Sequence, residues 1–367
     1  MKYYIIAGEA SGDLHGANLL KHLKQKDAHA NYRAWGGDMM QEQGAEIVKH
    51  YRDLAFMGFA EVIANLRTIL RNIEFCKNDI LQYKPDCLIL IDYPGFNLRI
   101  AEFAHQQNLK VVYYISPQVW AWKKSRVYKI KKFVDKMLVI LPFEKDFYKK
   151  YDYETTFVGH PLLDAIENYR NKRLSPSQIK QPYIALLPGS RMQEIKVMLP
   201  LMLEAAMQIK NYEIAIAGAP SIDATFYESM ISNSGAKIIY NNTYHLLQYA
   251  HAAFVTSGTA TLETALFRVP QVVCYKGNWI SVQIARRLID IRFISLVNLI
   301  ADKAIVKELI QQELTTQNMV SEMQKLLQGE KRNNMLREYD KLIALLGNAG
   351  ASEKAAQEIF DFLNGMD

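Results

Sequence analysis

The chain has 367 residues, of which 50% are hydrophobic and 22% are charged, and its formal net charge is +6 at pH 7. This length exceeds what one core usually organises, so we expect two domains, and the hydrophobic fraction is ample for two cores. The charge is too mild for a dedicated nucleic-acid-binding protein, and we expect no nucleic acid as a partner. It favours partners that carry phosphate or form an anionic membrane surface.

The cysteines and the apolar runs indicate a cytoplasmic protein. Cys76, Cys87 and Cys274 lie far apart and form no C-x-x-C pair, so neither a disulfide frame nor a zinc site is indicated. No stretch reaches the roughly 18 apolar residues that a spanning helix needs, and the apolar N-terminal run has no cleavage region. We therefore expect a reducing, cytoplasmic location, which leaves contact with a membrane surface open.

The predicted elements begin with a buried strand at residues 3–7 and a helix at 17–23, joined by the turn GEASGDLHG. Its glycines, Gly8, Gly12 and Gly16, let the backbone approach another group closely. The polar side chains between them are Glu9, Ser11, Asp13 and His15. The spacing fits neither a dinucleotide fingerprint nor a P-loop, and the acids would repel phosphate. We interpret the turn as a site for sugar hydroxyls or proton transfer, the alternative being acids that only cap the helix.

Strands and helices alternate through the rest of the first half. Continuous apolar runs predict parallel strands, buried on both faces, at residues 32–35, 87–91, 111–115, 137–141 and 155–158. Polar residues follow two of these strands, in DYPGFN from Asp92 to Asn97 and in SPQVWAW from Ser116, which includes Gln118 and Trp120. In parallel strands these residues meet at one edge of the sheet.

A polar segment at residues 170–182 with two prolines divides the chain into two similar halves. We predict a first domain of residues 1–169, joined by an amphipathic C-terminal helix at 350–367 with Ser352 as its N-cap, and a second domain of residues 170–349. Strands of the second domain are expected at 183–187, 212–217, 236–240, 252–255 and 271–275, and one long helical element at 303–327. The predicted fold class is α/β, with two Rossmann-like open sheets that face a central cleft.

The loops of the second half suit a nucleotide diphosphate. Gly189, Ser190 and Arg191 follow one strand at a helix start, where backbone N–H groups, the helix dipole and a guanidinium favour an anion. The sequence TSGTATLE supplies a second such loop, with the polar or small residues Ser257, Gly258, Thr259, Ala260 and Thr261. Glu263 is placed to accept hydrogen bonds from a ribose diol, and Tyr275 is a further candidate for the nucleotide. An ordinary capped helix is the alternative for this segment.

Nine stretches in chain order resemble the lipid-A-disaccharide synthase family. They are GEASGDLHGA, MGFAEV, DYPGFN, YYISPQVWAWKKSRVYKI, LPFEKDFYKKY, FVGHPL, LLPGSRMQEI, TSGTATLE and SLVNLIADKAIVKELIQ. The resemblance implies an inverting glycosyltransferase of GT-B architecture without a cofactor. Its substrates would be UDP-2,3-diacylglucosamine and 2,3-diacylglucosamine 1-phosphate, its products the β(1→6) lipid A disaccharide and UDP. It also implies work at the inner membrane as a peripheral protein.

Three residues take roles from this resemblance. The essential aspartate of the family's D-x-P-x-F-N motif corresponds to Asp92, the arginine of P-G-S-R to Arg191, and the asparagine of S-L-P-N to Asn298. Gly95 stands where the family often has a second acid, and Val297 replaces the proline of S-L-P-N. Any role of that second acid is therefore absent or supplied elsewhere.

Inversion needs a base for the acceptor hydroxyl and stabilisation of the leaving diphosphate. Asp92 is the first candidate for the base, with Glu9, Asp13 and His15 as rivals, and a capping or orienting role is its alternative. Contacts with the acceptor or the sugar are assigned to Gly8, Ser11, Gly12, Asn97, Ser116, Gln118, Trp120 and Asn298. Because the second half has no D-x-D pair, we expect Arg191 and helix-start N–H groups to stabilise UDP without an essential metal.

A membrane-contact surface is predicted where aromatic residues adjoin a basic run. Trp120 and Trp122 precede the run at residues 123–132, which includes Lys123, Lys124 and Arg126, and Met57 and Phe59 are further apolar candidates. Amphipathic rings suit headgroup depth, and cations suit anionic lipid. The alternative is that the tryptophans belong to the core and the lysines to a solvated helix face.

Two other function classes remain open from the residues. A non-hydrolysing UDP-sugar 2-epimerase would share the architecture but would need no surface for acyl chains. A nucleotide-binding module without activity is disfavoured, since it has no evident use for Glu9, Asp13 and Asp92 at converging strand ends. The sequence indicates no oligomeric state.

Overall fold

The protein is described from a computed structural model over residues 1–54, 66–120, 125–171, 176, 179–220, 222–231, 234–277 and 292–366. It divides into two compact units, Met1–Ala165 with Leu346–Asp367, and Ile166–Leu345. Within the described residues, no helix combines the length and the apolar character needed to cross a membrane.

The first unit is built on a seven-stranded parallel sheet. Its strands are β1 (Lys2–Ala7), β2 (Asn31–Gly36), β3 (Glu46–His50), β4 (Cys87–Ile91), β5 (Lys110–Tyr114), β6 (Lys136–Val139) and β7 (Thr156–Phe157). Their order in the sheet is β3-β2-β1-β4-β5-β6-β7. The helices between them are α1 (Ala10–Lys26), α2 (Asp38–Glu42), α3 (Leu66–Tyr83), α4 (Pro94–Gln106), α5 (Arg126–Phe133), α6 (Pro142–Lys149) and α7 (Pro161–Arg170), the last of which continues into the second unit.

The centre of this sheet follows from its apolar runs. Every residue of β4, with the sequence CLILI, is buried, as are the last five residues of β1. Such runs suit strands that helices cover on both faces. The register pairs Ala7 with Ile91, so β1 and β4 end at the same level.

The second unit is built on a six-stranded parallel sheet. Its strands are β8 (Tyr183–Leu187), β9 (Glu213–Gly218), β10 (Lys237–Tyr240), β11 (Ala252–Thr256), β12 (Gln271–Tyr275) and β13 (Lys307–Ile310), in the order β10-β9-β8-β11-β12-β13. Its helices are α8 (Met192–Met207), α9 (Ala224–Ile231), α10 (Thr243–Tyr249), α11 (Thr259–Leu266), α12 (Leu296–Ala301), α13 (Thr316–Leu327) and α14 (Glu330–Leu346). Two parallel α/β sheets confirm the predicted fold class.

Two strands were not expected. The predicted helical element at 303–327 is wrong over its first part, where β13 pairs with β12 and a short 3-10 turn, Gln311–Glu313, precedes α13. Pairing with the open edge of β12 outweighs the helical spacing of this segment. The other strand, β3, is likewise an edge strand and is only partly buried, so it lacks the apolar run that marks the central strands.

The C-terminal helix α15 (Ala351–Asn364) belongs to the first unit and contacts α1. It turns a row of buried small and apolar residues inward, namely Ala351, Ala355, Ala356 and Ile359. The prediction that Ser352 is its N-cap is wrong, because the helix begins at Ala351 and its N-cap is Gly350, two residues before Ser352, with φ +115°. Instead, the carboxylate of Asp164 accepts hydrogen bonds from the N–H groups of Gly350, Ala351 and Ser352 at 2.6, 3.2 and 2.7 Å.

We expect Asp164→Ala to destabilise the first unit, since three N–H groups at the start of α15 lose their shared acceptor. Loss of a helix cap typically costs about 0.5 to 2 kcal/mol, and the burial of Asp164 favours the upper end of that range. Urea unfolding followed by circular dichroism measures the change. Glu353→Ala removes an exposed acid from the same first turn and is the matched control. Equal unfolding midpoints for the two variants would contradict the capping role.

Candidate functional sites

The candidate site residues gather at one place in each sheet. In open parallel sheets, ligands bind beyond the carboxyl ends of the strands, where the strand order reverses. In the first unit the order reverses between β1 and β4, and the loops that follow begin with Gly8 and Asp92. In the second unit it reverses between β8 and β11, which lead into Pro188 and Ser257. Each unit therefore has one pair of adjacent loops suited to a ligand.

Asp92 follows β4 in a strained turn. Asp92 and Tyr93 have φ angles of +44° and +48°, in the left-handed region that residues other than glycine rarely occupy. Two donors bind the Asp92 carbonyl, the Nδ2 of Asn97 at 2.7 Å and the hydroxyl of Tyr113 at 2.5 Å. Part of Asp92 stays open to solvent, although protein atoms surround much of its carboxylate. Strained backbone that its surroundings hold in place clusters at functional sites.

The acidity of Asp92 suits proton transfer. Two causes raise the pKa of Asp92 to about 7: burial of the carboxylate among protein atoms is the larger, and the nearby Glu9 carboxylate is the smaller. Part of the residue remains open to solvent. A carboxylate with this pKa can accept and release a proton near neutral pH, as a general base must. Glu9 is half-buried and stands at the N-cap position of α1, but its side chain does not cap that helix. The structure thus brings the first candidate base and one of its rivals together.

Asn97 is fully buried, so its predicted contact with the acceptor or the sugar is wrong. Its amide also donates to the carbonyl of Ile91 at 3.2 Å, and therefore fixes the end of β4 and the turn after it. Tyr113, the other group on the Asp92 carbonyl, was missed by sequence reasoning. It lies within the apolar run of β5, where no signal in the sequence separates it from a core residue.

The glycines of the GEASGDLHG segment face protein atoms. A Cβ on Gly8 would collide with the ring of Tyr93, one on Gly12 would lie 3.0 Å from the Cβ of Ala7, and one on Gly16 would lie 2.7 Å from the sulfur of Met40. The predicted close approach is therefore real, but packing of α1 and of the Tyr93 turn explains the glycines at Gly8 and Gly12 without a sugar. Ser11, one position into α1, is exposed.

Asp13 is not placed for catalysis. It is buried at 2% exposure, and its two carboxylate oxygens accept hydrogen bonds from the N–H groups of Gly37, Met39 and Met40 at 2.7, 3.1 and 3.1 Å. These N–H groups belong to the start of α2. The carboxylate therefore caps a helix remote in sequence, and the catalytic role predicted for it is wrong.

His15 also lies inside the first unit. Burial lowers its pKa to about 4, so the ring is neutral near pH 7, and its neighbour His160 is buried as well. A base must reach its substrate, and this ring lies in the interior near Asp164 rather than at the exposed Asp92 turn. The structure removes His15 from the set of rival bases.

A buried carboxylate, that of Glu144, binds the loop after β5. The Trp120 indole donates to Glu144 at 3.3 Å, and Glu144 also accepts from the N–H groups of Ile140 and Leu141. Burial raises the pKa of Glu144 to about 7. Sequence reasoning missed Glu144, whose only signal is its place in LPFE at the start of α6. Trp120 is at 9% exposure and bonds to Glu144, which supports the alternative that this tryptophan belongs to the core rather than to a substrate or membrane contact.

Two further candidates lie in this loop. Ser116 is buried, and its hydroxyl is 2.7 Å from that of Tyr148, so its predicted contact with the substrate is replaced by a structural one. Gln118 is exposed and remains available. Five residues of the predicted membrane surface lie outside the described residues, namely Met57, Phe59, Trp122, Lys123 and Lys124. Arg126, at the start of α5, is half-buried near Tyr113.

In the second unit, the loop after β8 presents an arginine at a helix start. Gly189 has φ +111°, and a Cβ there would lie 2.5 Å from the Glu194 carboxylate. Ser190 and Arg191 are exposed, and Arg191 stands at the N-cap position of α8, where its guanidinium lies 3.7 Å from Glu194. The 16-residue helix directs the N–H groups of its first turn, and the positive end of its dipole, toward the same end.

The loop after β11 has both exposed and buried residues. Gly258 has φ +155°, and both Gly258 and Thr259 are exposed, with Ala260 half-buried. Ser257 donates to the carbonyl of Ile294 at 3.0 Å. Thr261 is fully buried and its hydroxyl donates back to the carbonyl of Gly258 at 2.8 Å, so its predicted contact with UDP is wrong.

Glu263 and Tyr275 border these loops. Glu263 is half-buried, burial raises its pKa, and it accepts a hydrogen bond from the Tyr244 hydroxyl at 3.1 Å. Its carboxylate retains a second oxygen for a diol. Tyr275 ends β12 and is partly buried. Burial raises its pKa, and the Glu194 carboxylate of α8 is near enough to contribute.

Asn298 does not line a binding site. Its Oδ1 accepts from the N–H groups of Ile305 and Val306 at 2.8 and 2.9 Å, and its Nδ2 donates to the Val306 carbonyl and to Glu308, both at 2.9 Å. Since the side chain is 1% exposed and uses both polar atoms internally, the predicted contact with substrate is wrong. The residue instead fixes α12 to the chain that enters β13.

Comparison with known proteins gives one consistent family. The family described as lipid-A-disaccharide synthetase matches this chain over residues 3–360. A lipid-A-disaccharide synthase of Syntrophus aciditrophicus is 39% identical over 364 residues, which cover 96% of this chain and 95% of the relative. The corresponding protein of Myxococcus xanthus is 35% identical over 372 residues, covering 98% and 97%.

Solved structures agree in fold at low sequence identity. The S. aureus protein MnaA, solved with UDP, has a TM-score of 0.72 at 13% identity and covers 99% of this chain and 97% of its own. The glycosyltransferase of kitacinnamycin has a TM-score of 0.65 at 15% identity and covers 98% of both chains. UDP-sugar epimerases also share this fold, as the Neisseria meningitidis enzyme does with a TM-score of 0.69. The fold alone therefore does not separate the two enzyme classes.

Proposed function

Because the chain belongs to the lipid-A-disaccharide synthase family and is thus a glycosyltransferase of lipid A biosynthesis, we propose that its two candidate sites divide the reaction between them. The first unit takes 2,3-diacylglucosamine 1-phosphate, and the second takes UDP-2,3-diacylglucosamine. The acceptor hydroxyl attacks the anomeric carbon, the bond to the diphosphate breaks, and UDP leaves with the electron pair. The product is the β(1→6) disaccharide 1-phosphate.

Asp92 is the base in this proposal. The observation that carries it is a carboxylate that a left-handed turn holds at the point where the strand order reverses, on a residue that is partly open to solvent and has a raised pKa. The negative charge of Glu9 supports a high proton affinity at Asp92. Asp92 takes the proton of the acceptor hydroxyl as the new C–O bond forms.

Arg191 and the start of α8 receive the diphosphate. Arg191 is exposed at the N-cap position, and a phosphate there meets both the guanidinium and the N–H groups of the first helical turn. Gly189, Ser190, Ser257, Gly258 and Thr259 supply the adjacent loop surface, and Glu263 and Tyr275 are assigned to the nucleoside end. These contacts stabilise charge as UDP departs, and no cation is given a role.

The reaction itself tests this proposal. The purified protein is incubated with UDP-diacylglucosamine and diacylglucosamine 1-phosphate, and mass spectrometry follows the disaccharide and UDP. We expect both products in equal amounts, and neither when the acceptor is omitted. A change in the UDP-sugar without an acceptor, at constant mass, would instead support the epimerase alternative.

We further propose that the protein works at the surface of the inner membrane, since diacyl sugars expose too much apolar surface to travel freely in water. With Trp120 buried, support for a contact surface comes from α3. Leu70 and Phe75 on this helix are 54% and 48% exposed, and Arg67 and Arg71 are exposed beside them. Apolar side chains next to cations suit an anionic bilayer.

We expect salt-sensitive binding to vesicles that contain anionic phospholipid, measured by co-sedimentation at low and high salt. A Leu70→Ser and Phe75→Ser double variant should bind more weakly because it loses apolar insertion. Lys123→Ala with Lys124→Ala should weaken binding mainly at low salt, by about 1 kcal/mol per residue near the surface. Leu345→Ser, a change at a 50% exposed residue of the second unit, is the control. Equal binding by all variants would reject both surfaces.

A further inference from the structure

The carbonyl oxygen of Asp92 is held more firmly than a turn of this kind requires. It accepts from the Asn97 amide at 2.7 Å and from the Tyr113 hydroxyl at 2.5 Å. Both donors are fully buried, and they come from different elements, α4 and β5. The interior of the unit therefore fixes the orientation of the Asp92 peptide, although the residue itself is partly open to solvent.

This restraint acts on an unfavourable conformation. A left-handed backbone is unfavourable for an ordinary L-residue, and here two such residues follow one another. Asparagine and aspartate tolerate the region better than tyrosine does, so the cost falls mainly on Tyr93. A turn under this strain relaxes when a restraint is removed, and relaxation would redirect the Asp92 side chain.

We propose that Tyr113 is a positioning residue for the reaction, which holds the Asp92 peptide so that the carboxylate stays directed at the acceptor hydroxyl. This inference rests on the proposed role of Asp92 as the base. Tyr113 is fully buried and its hydroxyl binds the Asp92 carbonyl, so in this proposal it acts through Asp92. Its neighbour Tyr114, also fully buried in β5, points to the opposite face of the sheet.

The test compares Tyr113→Phe with Tyr114→Phe, which removes the same hydroxyl group from the same strand. Loss of one hydrogen bond should lower kcat by about tenfold in Tyr113→Phe, with KM and UDP affinity unchanged. The apparent pKa of the kcat profile should fall, because a carboxylate that turns toward solvent leaves its crowded surroundings and Glu9. Tyr114→Phe should retain the kcat and the pH profile of the parent.

A double-mutant cycle separates positioning from a general loss of structure. If Tyr113 acts through Asp92, then Tyr113→Phe should have no further effect in an Asp92→Asn background. Multiplied effects, or a tenfold loss with an unshifted pH profile, would overturn the positioning role. An Asp92→Asn enzyme with the rate of the parent would overturn the base assignment, whereas a Tyr113→Phe enzyme with the rate of the parent would overturn the present inference alone.

Discussion

Asp92→Asn should lower kcat by about 10²- to 10⁴-fold, the typical contribution of a general base. Asparagine has the shape of aspartate and tolerates the left-handed region, so the turn with φ +44° should persist. The variant thus removes proton acceptance with little change in backbone. UDP affinity, measured by calorimetry, should stay close to that of the parent because its site is assigned to the second unit.

The pH profile gives an independent check on the same residue. A base must be deprotonated, so kcat should fall as the pH drops through about 7, the raised pKa of Asp92. Glu9→Gln removes a negative charge that raises this pKa, and should move the fall in kcat to lower pH while the plateau changes little. A Glu9→Gln enzyme with no plateau activity, beside an active Asp92→Asn enzyme, would transfer the role of base to Glu9.

Arg191→Ala should lower kcat/KM by about 10²- to 10³-fold, the range typical for loss of one group that stabilises charge in the transition state. The guanidinium meets the diphosphate on binding and again as negative charge grows on departure, so both UDP affinity and kcat should fall. Arg191 is exposed and forms a long ion pair with Glu194 at 3.7 Å, and exposed ion pairs contribute little to stability, so the thermal stability of the protein should hardly change.

Two matched variants sharpen this experiment. Arg191→Lys keeps the charge but loses the planar pair of donors, and should give an intermediate rate. Lys196→Ala removes an exposed cation from the next turn of α8 and should behave as the parent. If Lys196→Ala reduces UDP affinity as much as Arg191→Ala does, general attraction rather than a specific contact explains the effect.

The central strands could be predicted because burial on both faces requires uninterrupted apolar runs. Such runs mark β4 and β8, and the polar residues that follow them mark the ends where the candidate sites lie. The strand β13 could not be found this way, since its identity depends on an open edge at β12 and on a carboxamide, that of Asn298, which holds the preceding residues. Both β12 and Asn298 lie outside the sequence of β13, so the residue pattern of that strand alone does not reveal them.

The site was predicted less completely than the fold. A strand end supplies polar residues, but the phase of the following helix decides which of them face solvent. Because α1 begins at Ala10, Asp13 and His15 turn inward, while Glu9 and Ser11 stay at the surface. The glycines show the same limit, since a missing Cβ looks alike in sequence whether a ligand or the ring of Tyr93 fills the space.

The place of α15 in the first unit affects how the protein is made. The chain completes Ile166–Leu345 before it supplies the helix that covers α1. During synthesis at roughly 5 to 20 residues per second, the first unit waits many seconds on the ribosome with that face uncovered. The unit that is begun first is therefore finished last, and a truncated chain that stops before Gly350 also leaves Asp164 without the N–H groups it caps.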